Sequence, residues 1–128
     1  MNRTRAWASL ALLLMLASGC ETQLFDPSLP QGIEGIALLG PQCPVQSQAN
    51  PCPDLPHQAW IDVLDEGRDL VVRVRSGEDG AFRAGLLPGS YVLRPEAGNP
   101  FPTASEQPVL VEGGAYTQVV VGFDTGIR

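Results

Sequence analysis

Glycine and proline punctuate this chain so densely that, from Gly32 to the C-terminus, the longest stretch free of both is His57 to Glu66, ten residues. An average helix needs about 11 to 12 residues and is broken by internal proline, whereas an average strand needs about 5 to 6. The punctuation therefore selects β structure. It has no Gly-X-Y period, and 44% of the residues are hydrophobic, enough to build a core. At 128 residues the chain has room for one modest domain.

Alternation of apolar and polar residues places the strands. Ile33 to Leu39 forms the first. Ala59, Ile61 and Val63 face inward in the second, with Trp60 and Asp62 opposite. Leu70, Val72 and Val74 face inward in the third, with Arg73 and Arg75 opposite. Gly77-Glu78-Asp79-Gly80 is a turn, because Asp-Gly accepts a positive φ, and it reads as a hairpin into Phe82, Ala84 and Leu86. Pro88-Gly89 turns into Tyr91 and Leu93. An irregular segment follows from Pro95 to Gln107, then Val109 and Val111, a turn at Gly113-Gly114, and a last strand carrying Thr117, Val119, Val121 and Phe123. These one-sided strands, seven by this reading, describe an all-β sandwich whose core is made by the inward faces of two sheets.

The domain is preceded by a different kind of sequence. Arg3 and Arg5 lead into the uncharged, Leu-rich stretch Ala6 to Ala17, and Ser18, Gly19 and Cys20 follow at once. Twelve helical residues rise about 18 Å against a hydrocarbon thickness of about 30 Å, so the stretch reads as an export signal and not as a permanent span. Ser18-Gly19-Cys20 resembles the lipobox of bacterial lipoproteins, although Ala17 stands where family members more often have Leu. The resemblance implies removal of residues 1–19, a lipid thioether on Cys20, and a tether over 20–31 leading to a domain over 32–128. The protein is then anchored outside the cytoplasm without crossing the membrane.

The basic residues are all Arg, eight against 14 acids, for a formal charge of −6, and loss of Arg3 and Arg5 makes the exported part more acidic. Phosphate binding needs clustered positive charge, so a nucleic-acid partner is not expected. With Cys20 assigned to lipid, Cys43 and Cys52 remain as a pair in a compartment where disulfides persist. They are expected to staple a loop in which Pro41, Pro44, Pro51, Pro53 and Pro56 exclude regular structure. A zinc site from Cys43, Cys52 and His57 lacks a fourth ligand, and a copper site would need a second His. No metal or other cofactor is expected.

Asp79-Gly80-Ala81-Phe82 followed by Leu86-Leu87-Pro88-Gly89-Ser90-Tyr91-Val92-Leu93 resembles the D-G-x-F…L-x-P-G-x-Y-x-L core of carboxypeptidase regulatory-like domains. That resemblance implies a transthyretin-like (prealbumin-like) Greek-key sandwich, antiparallel and seven-stranded, with a non-catalytic role. Related adhesin modules close a Lys-to-Asn or Lys-to-Asp isopeptide, but this chain has no Lys. Related hydroxyisourate hydrolases use several His and a Tyr-Arg-Gly-Ser terminus, whereas this chain has His57 alone and ends Gly126-Ile127-Arg128.

Phe123-Asp124-Thr125-Gly126 has the letters of an aspartic-protease signature, but it stands next to the C-terminus and has no second copy, so Asp124 is expected to cap a turn. Asp62, Asp65, Glu66 and Asp69 cluster without EF-hand spacing and read as a solvated turn. Arg73, Arg75 and Arg83 are expected on the outer face of one hairpin, protecting it from edge association or receiving an anionic ligand. Trp60 faces away from the core, either open to a partner or covered by the Pro-rich loop. The expected function is a non-catalytic, envelope-anchored module that binds a protein or plays an accessory structural role. The alternative is a small carbohydrate-binding domain using Trp60, Tyr91 or Tyr116, and a hydrolase ranks third.

Overall fold

All seven alternating segments form strands, and a two-residue strand within the proline-rich loop adds an eighth: β1 (Gly32–Gly40), β2 (Leu55–Pro56), β3 (Trp60–Leu64), β4 (Leu70–Arg75), β5 (Ala81–Gly85), β6 (Gly89–Pro95), β7 (Gln107–Val111) and β8 (Tyr116–Asp124). The computed structural model describes residues 24–45, 49 and 51–128. The expected signal segment 1–19 and the lipidated Cys20 lie outside these described residues. Among them, no helix is long and apolar enough to cross a membrane.

One sheet has the order β4-β3-β6-β7. In the other, β1 pairs with β8 on one side and with β5 and β2 on the other. The sheets face each other across a core of Ile33, Ala37, Ile61, Val63, Phe82, Ala84, Leu86, Tyr91, Leu93, Val109, Val111, Val119, Val121 and Phe123. Most inward positions expected from alternation are filled by these residues, and Val72 and Val74 of β4 pack partly buried against them, which is how period-two patterning specifies a two-layer sandwich. Two hydroxyls fasten neighbouring segments locally. Ser76 Oγ donates to the His57 carbonyl at 2.6 Å and accepts the Ala59 N–H at 2.8 Å, while Tyr91 Oη donates to the Leu87 carbonyl at 2.6 Å.

Several details differ from the linear reading. The Gly77–Gly80 turn forms as expected, with Gly80 at φ 78° and Asp79 accepting the Ala81 N–H. It is not a hairpin, however, because β4 and β5 belong to different sheets and the turn is a corner between layers. Leu70 does not join the core. A register shift between Val63 and Leu64 leaves Leu70 57% exposed and turns Leu64 inward, 1% exposed. Pairing is antiparallel except between β1 and β8, which run parallel in continuous register from Gly32↔Tyr116 to Gly40↔Asp124. Finally, residues 24–31, expected in the tether, lie against the domain. Leu24 and Phe25 pack on the core, Phe25 bridges Leu86, and backbone hydrogen bonds join Asp26 to Gly85 and Leu87 to Leu24.

Cys43 and Cys52 form the expected disulfide, with their Cα atoms 6.0 Å apart. It closes the excursion between β1 and β2, so the proline-rich segment is held at both ends.

Candidate functional site

The outer face of the β4-β3-β6-β7 sheet gathers the residues with the most to offer a partner. Alternation in β3 turns Ile61 and Val63 inward, so Trp60 and Asp62 must project outward from the same strand. The antiparallel register then sets Arg75 opposite Trp60 and Arg73 opposite Asp62 on β4, and Arg94 opposite Asp62 on β6.

Trp60 is 38% exposed, and both neighbouring guanidinium groups stand over its ring, with Cζ of Arg73 5.0 Å and Cζ of Arg75 5.4 Å from the centroid. Such contacts contribute about 0.5 to 1 kcal/mol at exposed sites and restrict the ring's rotamers. Arg73 Nη2 also lies 2.7 Å from Glu96 Oε2 and its Nε 3.5 Å from Asp62 Oδ1, while Arg94 Nη2 lies 3.1 Å from Asp62 Oδ2. Each pair alone contributes roughly 0 to 1 kcal/mol. Together they hold Arg73 and Arg94 in place and leave Arg75, among the described residues, without a carboxylate partner. A shallow groove beside Trp60 and Arg75 is walled by Ala97, Gly98 and Pro102 on one side and by His57 and Gln58 on the other. The alternative expectation, that the Pro-rich loop covers Trp60, is not met among the described residues, since the Pro95–Gln107 segment supplies the neighbouring wall.

Arg83 is not with Arg73 and Arg75. The corner at Gly77–Gly80 carries it to the opposite sheet, where its guanidinium stands 3.9 Å from the centroid of Tyr116 and 3.8 Å from a Glu34 carboxylate oxygen. The grouping of three arginines on one hairpin face is therefore corrected to two. Tyr116 accordingly lies on that second outer face, and Tyr91 is buried at 4% exposure. Sequence reasoning missed Arg94 of β6 and Glu96 just beyond its end, which reach Asp62 and Arg73 respectively. Their alternation with the inward Leu93 was legible, but the pairing of β6 with β3 was not.

Several other ionisable groups serve the fold. Asp124 accepts the Gly126 N–H at 2.8 Å and pairs with Arg128 at 3.1 Å. Those contacts, Arg128 first, hold its carboxyl below the ordinary value, and the residue caps a turn as expected. Asp65 Oδ1 accepts the Asp69 N–H and closes the β3–β4 hairpin, while Arg68 pairs with Glu106. His57 packs edge-on against Phe123, with ring centroids 4.7 Å apart, and partial burial pushes its pKa below 6.5. The Ser76 hydroxyl is engaged by backbone groups on both sides.

No family model matches the chain, and no curated protein matches it. Among solved structures, the sandwich is similar to GBS52, the minor pilin of the Gram-positive pathogen Streptococcus agalactiae, with a TM-score of 0.56 at 12% identity over 74% of this chain and 44% of that one. A second similarity is to the Bacillus anthracis TIE protein, with a TM-score of 0.48 at 14% identity over 74% of this chain and 16% of that one. This chain spans less than half the length of either. The first likeness shows a shared β-sandwich fold.

Proposed function

We propose that the chain is a lipid-anchored module of the bacterial cell envelope that binds a protein partner, without catalysis, through the outer face of the β4-β3-β6-β7 sheet. The observation that carries this reading is Trp60, an outward aromatic fixed between Arg73 and Arg75 beside a shallow groove. Aromatic and Arg side chains with restricted rotamers lose little entropy when a partner covers them, which is why such residues dominate the energetics of protein interfaces. Arg75 adds a cation able to take a carboxylate or backbone carbonyl of that partner.

The anchor rests on Arg3, Arg5, the apolar stretch Ala6 to Ala17, and Ser18-Gly19-Cys20. Leu24 already packs on the domain, so the free length from Cys20 is short, about 14 Å when extended. The sandwich would thus sit close to the membrane. Its fold agrees with the resemblance to carboxypeptidase regulatory-like domains, because Phe82, Leu86, Tyr91 and Leu93 of the shared motif all enter one core. Glycan binding is less well supported. Trp60 and Tyr116 lie on opposite outer faces and Tyr91 lies inside, so no two of these rings make one platform.

Trp60 is also its own reporter. The sequence has two Trp, and the other, Trp7, leaves with the signal segment. Titrating the mature protein with purified envelope proteins and, separately, with envelope glycans should shift Trp60 emission only with a protein, and Trp60→Ala should weaken that binding by about tenfold or more. A shift with glycan alone, or turnover of a hydrolase substrate, would contradict the reading.

A further inference from the structure

β4 is an outer strand of its sheet, and its register against β3 shows where its backbone points. The Ser76 N–H donates to the Ala59 carbonyl at 2.9 Å, while the Trp60 carbonyl turns the other way and accepts the Glu96 N–H at 2.9 Å. Antiparallel pairs alternate between bonded and non-bonded positions, so Ala59, Ile61 and Val63 bond to Ser76, Val74 and Val72. The N–H and C=O groups of Arg73 and Arg75 therefore point away from the sheet, and they have no partner among the described residues. The side chains of the same two residues lie exposed on the outer face, over Trp60.

Charges on an edge strand oppose pairing, and here they discriminate between occupants. Two copies joined antiparallel, β4 to β4 through Arg73 and Arg75, would set arginine against arginine, and like charges directly opposite destabilise a sheet. An acidic strand meets the reverse situation. Arg73 is already held by Glu96 and Asp62, whereas Arg75 has no carboxylate partner among the described residues. The position opposite Arg75 on an added strand is therefore where an incoming carboxylate finds an uncompensated cation, and such charge-assisted hydrogen bonds are among the stronger ones.

We propose that the β4 edge takes an extended acidic segment of a partner protein as an added strand, with a Glu or Asp side chain opposite Arg75. This rests on the reading of the Trp60 face as the binding surface and specifies what occupies it. In antiparallel addition the residue opposite Arg75 exchanges both backbone bonds with it, and its carboxylate lies on the outer face beside the guanidinium. Main-chain bonds then supply affinity for any extended segment, and the pair at Arg75 selects the acidic one. The open edge is short. It is bounded on one side by the register shift and the Asp65–Asp69 turn, and on the other by Gly77, whose N–H donates to the Ala81 carbonyl. The chain is acidic overall, but charges more than about 8 Å from an exposed Arg75 are largely screened at physiological ionic strength.

Calorimetric titration of the mature protein, extracted in detergent, with a peptide alternating Val and Glu and with its Gln counterpart tests the pairing. The Glu peptide should bind, and the Gln peptide should bind about tenfold or more weakly. Arg75→Gln should reduce the Glu peptide to the affinity of the Gln peptide while keeping the native circular-dichroism spectrum. A Glu peptide N-methylated at its Glu residues, whose N–H groups would face β4, should not bind. A Glu peptide that fails to bind, equal binding of the Glu and Gln peptides, or full binding of the N-methylated one would each overturn the proposal. Envelope-protein binding that requires Trp60 but is indifferent to Arg75→Gln would overturn the acidic strand alone, whereas binding indifferent to Trp60→Ala would overturn the reading of the face as well.

Discussion

Phe123→Ala is expected to destabilise the domain by about 3 to 5 kcal/mol, a large part of the roughly 5 to 15 kcal/mol available to a protein of this kind. Phe123 is 2% exposed and the bulkiest of the fully buried side chains, set in β8 opposite Leu39 and edge-on to His57. Truncation forfeits the transfer of a whole ring from water and leaves a cavity between two sheets whose backbones cannot close on it. In thermal denaturation the melting temperature should fall by about 15 °C or more. A loss of only a few degrees would mean that the ring is not part of the packed core.

Gly35→Ala should also destabilise the domain, for the opposite reason. Gly35 faces Val119 in the parallel β1–β8 pair, and a Cβ built on it runs into the Val119 carbonyl. The added methyl therefore forces apart the first and last strands of the domain, at a cost of about 1 to 3 kcal/mol from overpacking and more if the ladder opens. The same substitution at Gly122, where the surrounding space is open, should be neutral or slightly stabilising. Equal effects at the two glycines would contradict the register of β1 against β8.

The contrast between these glycines marks what could be read from the letters. Phe123, Leu93, Tyr91 and Ile61 were legible as core because a strand half-buried in a sandwich has to alternate, and the disulfide was legible from compartment and parity. The sheet that each strand joins was not. Gly77-Glu78-Asp79-Gly80 has the same turn chemistry whether it reverses a strand within one sheet or carries it to the next, so Arg83 was placed beside Arg73 and Arg75. The inward turn of Leu64 and the exposure of Leu70 depend on a single extra residue in β4 that period-two reasoning steps over. The parallel pairing of β1 with β8 is set by contacts across the whole domain, and no local pattern reports it. Trp60 was legible as outward because Ala59, Ile61 and Val63 fixed the opposite face. Its fixation by Arg73, Glu96 and the Asp62–Arg94 pair needed the β3–β6 register.

The central functional claim is that a lipid on Cys20 holds this sandwich at a membrane outside the cytoplasm. Fractionating cells that express the native chain or Cys20→Ser, with mass spectrometry of the N-terminal peptide of each, tests it most directly. The native protein should partition with membranes and begin at an acylated Cys20, and the variant should be found soluble and without acyl mass. A native chain whose Cys20 carries no acyl group, or a variant retained in the membrane to the same extent, would contradict the account.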